Sequence, residues 1–260
     1  MITYAIEAAK IGGKILRDSF RKIDPALAEE KSPRDFVTEV DKRSEDAILN
    51  YLSRHFPEDA VVAEESGTHF GKSDYRWYID PLDGTKNYMH GFSMFCVSIG
   101  LARRGELVAG VVYDPMLDEL FTAEKGKGAF LNGSPIRVSP ISDWNRTLLA
   151  TGFPHRSKEV LDLYLESFRK LFVQVSAVRR SGSAALDLAY VAAGRFEGFW
   201  ELKLNPYDIA AGILLVQEAG GVVSDLAGGN SFLETGNILT ANPHIYPGML
   251  SVTKQVFGNR

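Results

Sequence analysis

Trp77-Tyr78-Ile79 is an aromatic, β-branched run that follows the polar loop Lys72-Ser73-Asp74, and it predicts the end of a buried strand. The chain then runs directly into Asp80-Pro81-Leu82-Asp83-Gly84-Thr85. Proline has no N–H to give a ladder, so Pro81 is expected to stop the strand. Asp83-Gly84 makes a turn, with Asp83 or Thr85 capping a short helix that follows. Two carboxylates, a hydroxyl and free backbone N–H groups therefore converge at one strand end, a donor set suited to hard divalent cations and phosphate oxygens. A structural Asx-turn with solvated acids is the plainer reading of the same six residues.

A covalent route has to be separated from a metal route. Phosphatases that form an aspartyl-phosphate carry two acids two residues apart, on one face of a strand. Here the acids are three apart with Pro81 between them. On spacing, metal ligation is favoured.

The 260 residues are enough for one large domain or two of ordinary size. Hydrophobic content of 45% and charged content of 24% are ordinary for a globular protein, and a net charge of −4 offers no basic field for nucleic acid. An anionic substrate would need local cations. The single cysteine, Cys96, excludes an intrachain disulfide framework and sits in an apolar run as a core residue. No apolar run is long enough to span a bilayer, and the N-terminal residues, with Glu7 and Lys10 in an amphipathic pattern, do not resemble a signal peptide. A reducing cytoplasm is the expected location.

Along the chain, apolar spacing predicts a helix over 2–20, in which Gly12-Gly13 marks close packing against a neighbour. A polar stretch over 31–35 leads to a second helix of about 15 residues with Ile48, Leu49 and Leu52 inside, and Asp41 at its start reads as a cap or dipole partner. Ala60–Ala63 reads as a strand ending in the adjacent acids Glu64 and Glu65, which repel unless a cation or base stands there. Strands follow over 95–102, 107–113 and 119–123. Near residue 145 the rhythm changes to strand–helix alternation, up to a helix over 206–219 and a strand over 221–224. This predicts an α+β chain in two halves: 1–144, antiparallel-rich and carrying the metal and phosphate groups, and 145–260, α/β, completing the site. Asp208, in the first turn after Asn205-Pro206-Tyr207, is an ordinary dipole partner unless it meets Asp80 and Asp83 across the halves.

Taken together, Glu64-Glu65-Ser66, Asp80-Pro81-Leu82-Asp83-Gly84-Thr85 and Asn205-Pro206-Tyr207-Asp208-Ile209-Ala210-Ala211-Gly212 resemble the inositol monophosphatase family in order and spacing. Val97-Ser98-Ile99-Gly100, Gly110-Val111-Val112-Tyr113 and Gly126-Lys127-Gly128-Ala129-Phe130 extend the likeness over most of the chain. The resemblance implies a Mg2+-dependent, lithium-sensitive phosphomonoesterase, a homodimer, with a layered α-β-α-β-α fold and two or three Mg2+ ions per site. It implies that Glu64, Asp80, Thr85 and the Leu82 carbonyl hold one ion, and that Asp80, Asp83 and Asp208 hold another. Asp41 and Thr85 would orient and deprotonate water, with Glu64 counted among the catalytic groups. Gly84 and Thr85 would hold phosphate, while Asp83, the Gly182-Ser183-Ala184 turn, Glu201 and Arg179 would contact the alcohol.

Lys86 departs from the inositol-phosphate type and points to relatives acting on phosphoadenosine phosphate or histidinol phosphate, whereas Asn87-Tyr88 and Glu201 point back. Fructose 1,6-bisphosphate is a further alternative, its second phosphate needing cations such as Arg179, Arg180, Arg195 or Lys203. From a different class, a regulatory binding protein could keep the same fold. The metal reading carries a direct expectation: with labelled substrate, acid quenching should trap no phosphate on Asp80. A stoichiometric label there would restore the covalent route.

Overall fold

The computed structural model describes residues 1–22, 29–32, 35–154 and 157–258. Pro33 and Arg34 of the polar stretch lie outside them. Helices α1 (Ile2–Ser19) and α2 (Glu39–His55) are separated by a small antiparallel pair, β1 (Glu29–Ser32) and β2 (Asp35–Val37). The expected close packing at Gly12-Gly13 is present. A Cβ on Gly12 would lie 2.7 Å from Ile48 Cδ1 and 2.8 Å from Ser44 Oγ of α2, and one on Gly13 would strike the Tyr113 ring.

The next eight strands are β3 (Ala60–Ala63), β4 (Gly67–His69), β5 (Tyr75–Asp83), β6 (Cys96–Arg103), β7 (Glu106–Asp114), β8 (Glu119–Glu124), β9 (Gly128–Leu131) and β10 (Ser134–Ile136), with helix α3 (Thr85–Met89) after β5. They form one sheet in the order β10-β9-β8-β7-β6-β5-β3-β4, antiparallel except where β3 runs parallel to β5. The remaining elements are β11 (Leu148–Thr151), α4 (Leu161–Phe172), β12 (Ala177–Arg179), α5 (Ala184–Ala192), β13 (Gly198–Glu201), α6 (Pro206–Glu218), β14 (Val222–Ser224), α7 (Phe232–Thr235), β15 (Ile238–Ala241) and α8 (Tyr246–Phe257). The second sheet, β12-β11-β13-β15-β14, is mixed: β11 is parallel to β12 and β13, and β15 runs antiparallel to β13 and β14. Strand–helix alternation continues past α6 through β14, α7 and β15, but β15 enters antiparallel to both its neighbours. The short exposed edge strand β4 and the closing helix α8 were not anticipated from the pattern.

The layers are α1 and α2, the large sheet, α5 and α6, the small sheet, then α4 and α8, a mixed α+β sandwich. Alternation along the strands builds them. Val97, Ile99 and Leu101 of β6 face the α1–α2 core, while Cys96 and Ala102 face α5 and α6. Every residue of α5 is buried, as is 208–216 of α6, which is why both helices read as apolar all round. Among the described residues no helix is long and apolar enough to cross a membrane.

Two glycines set how closely α6 lies on the sheet. Gly100 and Gly110 pair across β6 and β7, and a Cβ on them would lie 2.7 Å from Ala210 Cβ and from the Ala211 carbonyl oxygen respectively. Asp208 stands one turn earlier on α6, so this contact sets its height over the sheet. Gly110→Ala is expected to cost about 1–3 kcal/mol by overpacking against helix backbone, read as a lower denaturation midpoint. An unchanged midpoint would show that α6 rides freely.

Candidate active site

The register of β5 on β6 contains the first surprise. Asp80 pairs with Ser98 and Asp83 with Cys96, so Pro81 and Leu82 together oppose the single residue Val97. This is a β-bulge, a position where proline removes no needed ladder bond. Pro81 therefore does not stop the strand, which continues to Asp83. Because the bulge absorbs one residue, Asp80 and Asp83 share a face as acids two apart would. Spacing alone does not separate the metal and covalent routes; the surroundings of Asp80 must.

The bulge is pinned from several sides. Leu82 N–H donates to Asp80 Oδ1 at 2.9 Å, and Ser44 Oγ of α2 donates to the Pro81 carbonyl at 3.1 Å. The Leu82 side chain points into the α1–α2 core, while its carbonyl lies 3.1 Å from Thr85 Oγ1. Gly84 turns the chain at φ +101° and is itself the N-cap of α3, so neither Asp83 nor Thr85 caps that helix. Thr85 Oγ1 also lies 3.1 Å from Asp41 Oδ1. The other Asp41 oxygen accepts from Thr38 N–H at 2.9 Å and Thr38 Oγ1 at 2.5 Å, closing a capping box on α2. The cap reading of Asp41 holds through one oxygen, and the other oxygen meets Thr85.

Asp83 joins β5 to α5. Its Oδ2 accepts from Ser183 Oγ at 2.6 Å and Ala185 N–H at 2.7 Å, at the N-terminus of α5, where an anion is favoured. From α6, the Asp208 carboxylate accepts from Asn205 N–H at 2.6 Å in a second capping box. Burial pushes the Asp80 carboxyl well above its ordinary range, and the negative charges of Glu64, Asp83 and Asp208 push it further. Asp83 is raised to about 6 by burial, opposed by its bonds to Ser183 and Ala185 and by Arg180. Asp41 is raised to about 6, again by burial first, with its bonds to Thr38 working against the rise.

One cavity of about 120 Å³ is lined by Glu64, Asp80, Leu82, Asp83, Gly84, Thr85, Gly182, Ser183, Ala184, Glu201 and Asp208. These are the positions singled out from sequence except two. Asp41 lies fully buried behind Thr85 rather than on the wall. Arg179 is exposed at the end of β12, where its guanidinium turns back to the Val178 carbonyl, and its neighbour Arg180 lines the cavity instead. Successive residues at a strand end point opposite ways, and sequence could not say which faced in. Neither Arg195 nor Lys203 lines the cavity, and Arg195 pairs with Glu119 over the Tyr190 ring.

Sequence reasoning missed Asp187, a buried carboxyl on the cavity wall, bonded by Ser181 Oγ and raised well above its ordinary range by burial. It used Asn87 only as a pointer to the inositol type, whereas the Asn87 amide bridges Met94 O at 2.7 Å and Ser181 O at 2.8 Å. It also missed Ser44 and Glu45. The visible signal was polar residues at 41, 44 and 45 on the same helix face as Ile48 and Leu52, where an ordinary amphipathic helix is apolar.

Among the described residues, no three His, Cys, Asp or Glu side chains stand as a ready-made metal cage. The donor chemistry nevertheless fits a hard cation: the carboxylates of Glu64, Asp80, Asp83 and Asp208 line one cavity with Leu82, and burial together with the three neighbouring acids raises the proton affinity of Asp80.

Residues 1–256 match the family described as the inositol monophosphatase family. The chain belongs to that family. "Nus factor SuhB" of Escherichia coli is 46% identical over 252 residues, 96% of this chain and 94% of that protein. "Inositol-1-monophosphatase" of Mesorhizobium japonicum is 42% identical over 261 residues, 100% of this chain and 98% of that protein. The crystal structure of extragenic suppressor protein suhB from Bartonella henselae superposes with a TM-score of 0.93 at 42% identity, covering 97% of this chain and 98% of that one.

The raised carboxyls predict a stability that depends on pH. Asp41 and Asp83 titrate near 6 when folded, against an ordinary 3.8. A raised folded-state pKa gives stability that is complete below the lower value and is lost as pH climbs through the upper one. In chelator, the denaturation midpoint should therefore fall between about pH 4 and pH 6, and added Mg2+ at pH 7 should raise it again. A midpoint that rises through that window would acquit the acid cluster.

Proposed function

We propose that the protein is a Mg2+-dependent phosphomonoesterase that hydrolyses inositol 1-phosphate or a similar polyol phosphate. The observation that carries this reading is the meeting, in one cavity, of four carboxylates, the Gly84-Thr85 turn and Glu201. Family membership supports it. Glu64, Asp80, Thr85 and the Leu82 carbonyl would hold one Mg2+, and Asp80, Asp83 and Asp208 another, with room for a third. Bound there, the ions supply an acidified water and a counter-charge for the leaving oxygen.

The chain's own groups do the rest. Thr85 Oγ1, bonded to Asp41 Oδ1, orients the attacking water, and Asp41 takes its proton through that hydroxyl, a base suited to neutral pH by its raised pKa. The backbone N–H groups of Gly84 and Thr85 open α3 and hold phosphate oxygens. The Gly182-Ser183-Ala184 turn and Glu201 orient the alcohol. Gly152 leaves the space that Glu201 uses: a Cβ there would lie 1.9 Å from Glu201 Oε1. Arg180 replaces Arg179 as the cation beside the site, and Lys86 lines the cavity too. By the same reading the protein is a lithium-sensitive cytoplasmic homodimer.

A second reading is favoured by the name Nus factor carried by similar proteins: a regulatory binding protein that retains the fold. Phosphate release with and without Mg2+ separates the two, since a binder turns over no sugar, inositol or nucleotide phosphate. The decisive measurement is kcat/KM across inositol 1-phosphate, fructose 1,6-bisphosphate, histidinol phosphate and phosphoadenosine phosphate. Inositol 1-phosphate should lead. Glu201→Gln should lower kcat/KM on it about ten- to a hundredfold, the worth of a hydrogen bond to a charged group, and spare glycerol 2-phosphate. A tenfold preference for either of the last two substrates would reject the polyol assignment and turn attention to Lys86.

A further inference from the structure

We propose that Glu45 is a positioning residue for Glu64, and that through it helix α2 sets the metal affinity of the site. The inference rests on reading the carboxylate cluster as a divalent-cation site. Glu45 lies one turn beyond Asp41 on α2 and is only 2% exposed. Its Oε2 accepts from Glu65 N–H at 2.8 Å and its Oε1 from Ser66 N–H at 2.7 Å.

A carboxylate is costly to bury unless it is hydrogen-bonded. Nothing in α2 itself calls for one at 45: the helix is capped by Thr38 and Asp41, and its inner face continues with Ile48 and Leu52. What Glu45 holds is the pair of peptide N–H groups immediately after Glu64, which lines the cavity. On the near side, Glu64 N–H donates to the Ile79 carbonyl at 3.1 Å, next to Asp80 on β5. The backbone around Glu64 is therefore tied to the strand that carries Asp80 and to the helix that carries Asp41. The point from which the Glu64 side chain departs is thereby set before an ion binds. Without Glu45 the turn, which is closed by the Ala63–Gly67 pairing and leads into the exposed edge strand β4, loses its tie to α2. Ser44 does the equivalent for the Pro81 carbonyl at the bulge. One face of α2 thus gauges three segments of the site against each other.

The test is a double-mutant cycle of Glu45→Gln and Glu64→Gln in the full chain, read by calorimetric titration with Mg2+ and by the Mg2+-induced rise in Tm. Glu45→Gln presents one amide NH2 to an N–H donor, so it loses one of the two bonds. Mg2+ binding should weaken about 10- to 100-fold, and the same change added to Glu64→Gln should weaken it no further. If Glu45→Gln does not fold, Glu45→Asp, which keeps the charge and shortens the reach, should show the same dependence on Glu64. Unchanged Mg2+ affinity, or an equal further loss in the Glu64→Gln background, overturns the positioning role alone. Wild-type protein that neither binds Mg2+ nor is stabilised by it overturns the metal-site reading together with this one.

Discussion

Asp80 is a carboxylate buried within β5, next to its bulge and among like charges, and the centre of the molecule is arranged around the problem it poses. Burial raises its proton affinity, and Glu64, Asp83 and Asp208 raise it further. In a dielectric well below that of water, such a group is tolerable only protonated or opposite a cation. The acids arrive from β3, β5 and α6, so the repulsion is built by tertiary packing and no local rearrangement relieves it. A fold that keeps this arrangement keeps a standing affinity for positive charge.

The β-bulge at Pro81-Leu82 is what makes the arrangement possible on a single strand. It adds one residue opposite Val97, restores Asp80 and Asp83 to one face, and leaves the Leu82 side chain in the core while its carbonyl faces Thr85. Proline suits the place because the bulge already leaves a ladder position unused. On the other side, Gly100 and Gly110 let α6 lie against the sheet, which brings Asp208 down to the same level. Small residues in the sheet and an extra residue in the strand are two halves of one geometric solution.

Acids that cap helices also stand at the candidate site. Asp41 and Asp208 each complete a capping box at a helix start; Asp208 lines the cavity and Asp41 lies behind Thr85. Asp83 binds the N-terminus of α5 and so ties the two sheets' halves together at the cavity. A helix N-terminus both wants an anion and orders it, so the acids are positioned by groups that gain from their charge.

The α+β class and most helices and strands were legible from periodicity, which is a local property of the chain; the resemblance to the family supplied the layered arrangement and the group Glu64, Asp80, Asp83, Thr85, Glu201 and Asp208 that lines one cavity. Gly12 and Gly13 could be read as close packing, though not against what. Tertiary structure alone decided the rest. It placed Arg180 rather than Arg179 at the cavity, since the facing of a strand end depends on its register with neighbours. It turned a three-residue spacing into a shared face, since a bulge exists only relative to a partner strand. It gave Ser44, Glu45 and Asn87 their backbone partners, since polar residues at 41, 44 and 45 mark a helix face as unusual without saying which distant peptide groups it meets. Sequence named the acids; packing decided which way each one points and what it must share its charge with.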